Sequence, residues 1–523
     1  MDKTVTIAVV VGVYAVVMLI IGLVNKKNSD SMTQFTVGSR NAGAWVSAMS
    51  YGTAYFSAVM FVGYAGKTGW GFGAWAVAAG IGNALIGSLL AWLVLANRTR
   101  DVTRRLKIKS MPQFFNARFK SEPMKLFAVA VIFVFLLPYS ASVYKGLTSV
   151  CSVLLGIDET LCMILIAVAS AVIIVLGGYI AQLKADFVQG IVMIFGVSLL
   201  IIFVIKSNAV GGLTTGLTRL GGVTEQLGLT GKHHISLWAT VLMTSFGTWG
   251  LPQMIHKYYG IKDKSEVVKG TVISTLFSLL IAGGGYFIGS FGHVFFSELP
   301  EGGVDYIIPN MLINANLPNI LLGVVLVLLI SASVSTLSSI TITACTTLTM
   351  DLVKGHINKD ISQKAQAALT KVLCIVFIAL SYVIANSDTP ILDMMSYSWG
   401  IISGSFLAPY LISLYWRGLN KAGAWAGMLG GFAVAAQPVV AKLFIPSMQV
   451  PFGLGNMMDN GSLYACFAMV LSLILCVVVS LATGGNSERS KAKYAHFYDS
   501  NISEDNTVSS AAADAVSPVE AAN

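Results

Sequence analysis

The residues with chemistry to offer are concentrated between Leu329 and Thr341. Ser331, Ser333, Ser335, Thr336, Ser338, Ser339 and Thr341 lie there within an apolar run from about Leu317 to Met350. Ala332, Ser335, Thr336, Ser338 and Ser339 follow i, i+3, i+4, i+6, i+7 spacing, which gathers them on one side of a helix. Neutral oxygens facing one way in a low-dielectric medium can hold a small dehydrated cation. The same small residues also let helices pack closely and hydrogen-bond across the contact. The stretch alone supports either reading.

The elements around it belong to a bilayer. Of 523 residues 55% are hydrophobic and only 11% charged, and the apolar runs repeat at roughly 20 residues, the length of a membrane-crossing helix. The six cysteines stand singly with no C-x-x-C pair, which argues against a zinc site or a disulfide framework. No H-E-x-x-H and no Walker-type phosphate loop occurs, so neither a catalytic metal motif nor direct use of ATP is expected. The chain is not expected to be an enzyme. The net charge of +9 comes from Lys and Arg clustered in short loops, a mark of membrane topology and not of a nucleic-acid partner.

The hydropathy pattern predicts about 13 spans, near 5–24, 44–66, 71–96, 126–155, 159–179, 186–205, 235–253, 270–297, 317–350, 370–386, 389–416, 422–444 and 462–483. Lys26 and Lys27 follow the first span, and alternate loops carry most of the remaining Lys and Arg. The positive-inside rule then puts the N-terminus outside and the C-terminus in the cytoplasm of a multi-pass cell-membrane protein. A transmembrane domain is expected over 1–484, followed by a disordered cytoplasmic tail over 485–523.

Two spans look broken, at Ser50–Ala58 and at Thr244–Pro252, because Gly and Pro at membrane depth leave backbone groups unpaired. The breaks lie five spans apart. That spacing suggests two inverted repeats, about 44–206 and 235–416, with discontinuous first helices that bind solute and ion at the midplane.

At this point the sequence resembles the solute:sodium symporter family over approximately residues 5–480. The resemblance is carried by Gly38-Ser39-Arg40, Gly177-Gly178-Tyr179-Ile180-Ala181 with Asp186 to Gln189, Gly250 with Pro252, Ser335-Thr336-Leu337-Ser338-Ser339, Met350-Asp351-Leu352, and Trp416-Arg417 with Gly423 to Gly427. It implies an all-α, LeuT-like symporter fold and sodium-coupled uptake of a small polar organic solute by alternating access. It also implies a sodium site of backbone carbonyls from Thr53, Phe56 and Ala332 with the hydroxyls of Ser335 and Thr336. Such a set matches the several oxygens a hard cation requires. A second sodium site, known in some members, would take Asp186, Ser335, Ser338 and Ser339. An acid at membrane depth is a functional candidate by default, the alternative for Asp186 being a salt bridge to a lysine of a cytoplasmic loop. Lys184, two residues before it, departs from the family pattern and would replace an ion if it entered the site.

The solute cavity is expected between the two breaks and the fourth span, with Tyr55, Ser57, Ala58, Tyr139, Lys145, Thr244, Thr248 and Trp249 as candidates. Tyr139-Ser140-Ala141-Ser142 resembles the proline symporters, whereas Tyr55 and Thr244 depart from them. Lys145 either attracts an anionic solute or snorkels to the interface. The solute is left open among amino acids, organic acids, sugar acids and sugars. Partners are the solute and the lipid bilayer, with no obligatory protein partner. The alternatives are a proton-coupled symporter or a facilitative uniporter of the same fold, and, outside that class, an ion channel or a non-transporting sensor.

Overall fold

In lipid every backbone polar group must be satisfied within its own segment or by a close neighbour, and the chain folds accordingly as helices. The computed structural model describes residues 3–25, 32–37, 40–315 and 317–498. Lys26, Lys27, Gly38, Ser39 and residues 499–523 of the expected tail lie outside them. No strand occurs among the described residues, only two isolated bridges.

Nine helices among the described residues are long and apolar enough to cross a membrane, fewer than the sequence pattern suggests, and the reasons are local. The first broken span runs as Ala44–Tyr55, stops at Phe56 in extended geometry (φ −107°, ψ 108°) and resumes as Val59–Ala65. The second runs as Gly231–Phe246, makes one tight turn over Gly247–Trp249, passes through extended Leu251 and resumes as Pro252–Tyr259. The segments expected near 159–179 and 186–205 are two helices joined without a loop at Gly178 (φ 59°, ψ −168°), a conformation that glycine adopts without a Cβ penalty, and together they make the bent helix Glu159–Lys206. Ile391–Tyr415 is continuous, but its buried Ser396, Ser398, Ser403 and Ser405 lower its apolarity.

The helix Asn319–Thr347 carries the serine/threonine stretch and forms the centre. Its most apolar stretch is 83% buried, against 22% for the N-terminal helix, which therefore lies at the periphery. A helix apolar on every side is one surrounded by protein or lipid. Here the surroundings are Lys3–Val24, Ala44–Tyr55, Glu122–Leu155, Glu159–Lys206 and Gln363–Ala385. A central helix flanked by two interrupted ones is what places polar groups at membrane depth.

Residues 485–498, expected to be tail, fold back onto the protein. Ser487 caps a short helix Glu488–Lys493, and Phe497 beyond it is fully buried. The Tyr498 hydroxyl donates to the carbonyls of Ser413 and Trp416 at 2.6 and 3.1 Å. His496 Nε2 lies 2.9 Å from the Ala117 carbonyl, and Arg105 donates to the Phe497 carbonyl. The Arg118 guanidinium sits 4.5 Å from the Tyr494 ring centre. The polar composition conceals three aromatic residues whose partners are remote in sequence. Truncation after Lys493 is expected to lower the thermal midpoint of the purified protein, because burying one Phe contributes about 2 kcal/mol.

Candidate functional site

The first break sets the geometry. Ser57 restarts the helix beyond it, its hydroxyl accepting the Val59 N–H at 3.2 Å and its carbonyl accepting the Met60 N–H at 3.0 Å, in the manner of a helix N-cap. The Ala58 N–H reaches across to Ser333 Oγ at 3.4 Å. The carbonyls just before the break lack helical partners and turn to the central helix. Thr336 Oγ1 lies 3.2 Å from the Thr53 carbonyl, 3.3 Å from that of Ala54 and 3.0 Å from that of Ala332, one turn earlier on its own helix. Thr336 and Ala332 are fully buried. Phe56 stands at the break itself. The Ala54 carbonyl joins this group although sequence reasoning omitted it, since which carbonyl a hydroxyl meets depends on helix rotation.

Ser335 connects this cluster to a buried carboxylate. Its Oγ lies 2.8 Å from Thr53 Oγ1 and 2.6 Å from Asp186 Oδ1. A hydroxyl carries one proton, which Ser335 offers to the carboxylate. The other carboxylate oxygen, Oδ2, accepts from Ser50 Oγ at 2.5 Å and from Lys257 Nζ at 3.2 Å. The Asp186 and Lys257 side chains are 1% and 2% exposed. A charge buried to this degree requires a partner, and Asp186 has one in Lys257. Lys184 points elsewhere, to Asn25 Oδ1 at 2.8 Å, so it does not enter the Asp186 site. Ser339 meets the Gln182 amide. Ser338 lines a cavity of about 20 Å³ beside Asp186, bordered also by Met18, Gln182 and Gln189, room for about one water.

The expected solute residues divide into two groups. Tyr55 donates to the Thr244 carbonyl at 2.7 Å and packs against Phe56 and Trp399, with ring centres 4.2 and 6.2 Å away. Tyr139, fully buried, meets the same Trp399 edge to face at 5.5 Å. Thr248 reaches the carbonyls of Ser245 at 2.9 Å and Gly87 at 3.4 Å, and Trp249 Nε1 donates to the Ile86 carbonyl at 3.1 Å. Ser57 and Ala58 are occupied at the break. Lys145 stands apart from all of these, its ammonium donating to the carbonyls of Ser387 and Thr389 at 3.0 Å each. Trp399 was missed by sequence reasoning. It lies in the middle of Ile391–Tyr415 and is 1% exposed, and nothing in its local sequence separates it from an ordinary core tryptophan.

Close backbone approach holds the second break against that helix. Ser403 Oγ donates to the Gly247 carbonyl at 2.5 Å. A Cβ on Gly250 would stand 2.7 Å from Ser403 Cα, whereas one on Gly71 would meet nothing within 4 Å. Backbone cannot yield as a flexible side chain can. Gly250→Ala is therefore expected to destabilise the purified protein by about 1–3 kcal/mol, and Gly71→Ala to leave its thermal midpoint unchanged.

Comparison with known proteins follows the same lines. The profile of the Sodium:solute symporter family matches residues 35–431. The chain is 25% identical over 505 residues to the osmoregulated proline transporter OpuE of Bacillus subtilis, a match covering 94% of this chain and 98% of that one. It is 26% identical to the sodium/proline symporter of Haemophilus influenzae, covering 88% and 93% of the two chains. It is also 26% identical to the sodium/pantothenate symporter of that organism, covering 83% and 91%. A Na+-coupled sialic acid symporter, solved in a substrate-bound outward-open state, superposes with a TM-score of 0.73 at 17% identity, covering 91% of this chain and 97% of that one. The shared architecture is the LeuT-like fold.

Proposed function

We propose, from the premise that the chain belongs to the sodium:solute symporter family, that the oxygen cluster around Thr336 holds the ion that drives transport. The activity is sodium-coupled symport of a small solute across a membrane. The observation that carries the assignment is the convergence of the Thr336 hydroxyl with the Thr53, Ala54 and Ala332 carbonyls within 3.0–3.3 Å. A hard monovalent cation needs several oxygens at once to offset its lost hydration. Thr53, Phe56 and Ala332 carbonyls with Ser335 and Thr336 hydroxyls would supply them, with the Ala54 carbonyl adjacent.

The ion would hold the first broken span against the central helix. An ion that binds one conformation better than the others shifts the population towards it, and solute affinity rises reciprocally. We place the N-terminus outside and the basic loops in the cytoplasm, which makes the transport inward. The two repeats are 44–206 and 235–416 within a membrane domain extending to residue 484, and residues 485–498 pack against its basic end.

For the solute we favour a molecule without net charge, such as a zwitterionic amino acid or a neutral sugar, over a free organic or sugar acid. The support is composition: Tyr55, Tyr139, Thr244, Thr248, Trp249 and Trp399 offer aromatic faces and neutral polar groups, while the Lys145 ammonium stands apart on the carbonyls of Ser387 and Thr389. Relatives named for proline and pantothenate fit the broader class of small organic solutes.

Sodium chloride, compared with choline chloride, is expected to raise the thermal midpoint of the purified protein, because a ligand that binds only the folded state stabilises it. Thr336→Ala is expected to shift the half-effective sodium concentration upward by at least about tenfold, a loss of roughly 1.4 kcal/mol or more. An unchanged value in that variant would refute the assignment. Counterflow in proteoliposomes against amino acids, neutral sugars, monocarboxylates and sugar acids identifies the solute class. Trp399→Ala is expected to abolish uptake of the solute so found, and Lys145→Gln to keep it within about twofold of the parent, because the lysine is committed to the carbonyls of Ser387 and Thr389.

A further inference from the structure

The second broken span does more than expose backbone. By restarting as Pro252–Tyr259 it carries Lys257 into the interior, opposite Asp186 on the bent helix. The ammonium lies 3.2 Å from Asp186 Oδ2. With the Gln182 amide oriented to satisfy its neighbours, its oxygen accepts from Lys257 Nζ at 3.2 Å and from the Ser339 N–H at 3.2 Å. The Tyr179 ring stands 6.0 Å away on the cation. Gly260, where a Cβ would lie 3.2 Å from the Tyr179 hydroxyl, lets the end of this helix approach so closely. The ammonium is thus surrounded by a carboxylate oxygen, an amide oxygen and an aromatic face, a shell suited to one monovalent cation.

We infer that Lys257 is the resident cation of the Asp186 site, so that the protein binds one sodium ion and not two. The inference rests on the reading of the Thr336 cluster as the first sodium site. Of Asp186, Ser335, Ser338 and Ser339, which resemblance would assign to a second sodium, Asp186 meets the tethered ammonium directly, Ser335 through Asp186 and Ser339 through Gln182, while Ser338 lines the small cavity beside Asp186. A second free cation beside the same carboxylate would meet like-charge repulsion in a low-dielectric interior. The tether also fixes Asp186, whose Oδ1 accepts a hydrogen bond from Ser335.

Equilibrium binding of radioactive sodium to the purified full-length protein, with choline as the replacement cation, counts the ions. The parent is expected to bind one ion and Lys257→Arg one. Lys257→Gln, which frees Asp186, is expected to bind two, and Lys257→Gln combined with Asp186→Asn to return to one. Thr336→Ala alone is expected to bind the single ion at least about tenfold more weakly. Two ions on the parent protein would overturn the inference whatever the variants do, so it stays open to refutation even where Lys257→Gln fails to fold. A folded Lys257→Gln protein that still binds one ion would overturn it too. A parent that binds none, or a Thr336→Ala protein whose sodium affinity is unchanged, refutes instead the underlying assignment of the Thr336 site.

Discussion

A backbone carbonyl released by an interrupted helix at membrane depth has no water to turn to, and this constraint organises the molecule. The Thr53 and Ala54 carbonyls find Thr336 on the central helix. A side-chain hydroxyl is a weak, rotatable partner compared with a helical N–H. The break is therefore satisfied without being locked, and a cation able to draw the same oxygens together would replace the hydroxyl proton's role. Burial of the central helix on all sides, the caps at Ser57 and the close packing at Gly250 keep the oxygens in register.

Charge is handled by the same economy of position. Asp186 is buried with a full set of donors, Ser50, Ser335 and Lys257. Removing one member of such a buried pair leaves an uncompensated charge, which makes the Asp186–Lys257 contact a strong organiser of the region between the bent helix and the second broken span. Ser335 reports this charge to the carbonyl cluster through a single proton.

Much of this arrangement is legible in the sequence where the signal is local. The spacing of Ala332, Ser335 and Thr336 places them together, and Gly and Pro mark both interruptions. Long-range partners are not encoded in spacing. Lys257 counts among loop lysines because the periodic pattern ends before it, yet the restarted helix draws it inside, and Lys184, the nearer candidate by sequence, turns to Asn25. Trp399 and the Ala54 carbonyl escape for the same reason, since each acquires its role from a neighbour in another helix. The helices that fall short as continuous apolar spans are those bearing the serines, glycines and breaks.

The fold-back of residues 494–498 has a mechanical consequence. It bonds at once to Arg105 and Ala117 near the short helix Met111–Phe119 and to Ser413 and Trp416 at the end of Ile391–Tyr415. Parts of the chain remote in sequence are thereby riveted at one face. While the rivet holds, they travel as a single strut, and any rocking that exposes the interior must pivot in the elements it does not touch, the two interrupted spans foremost.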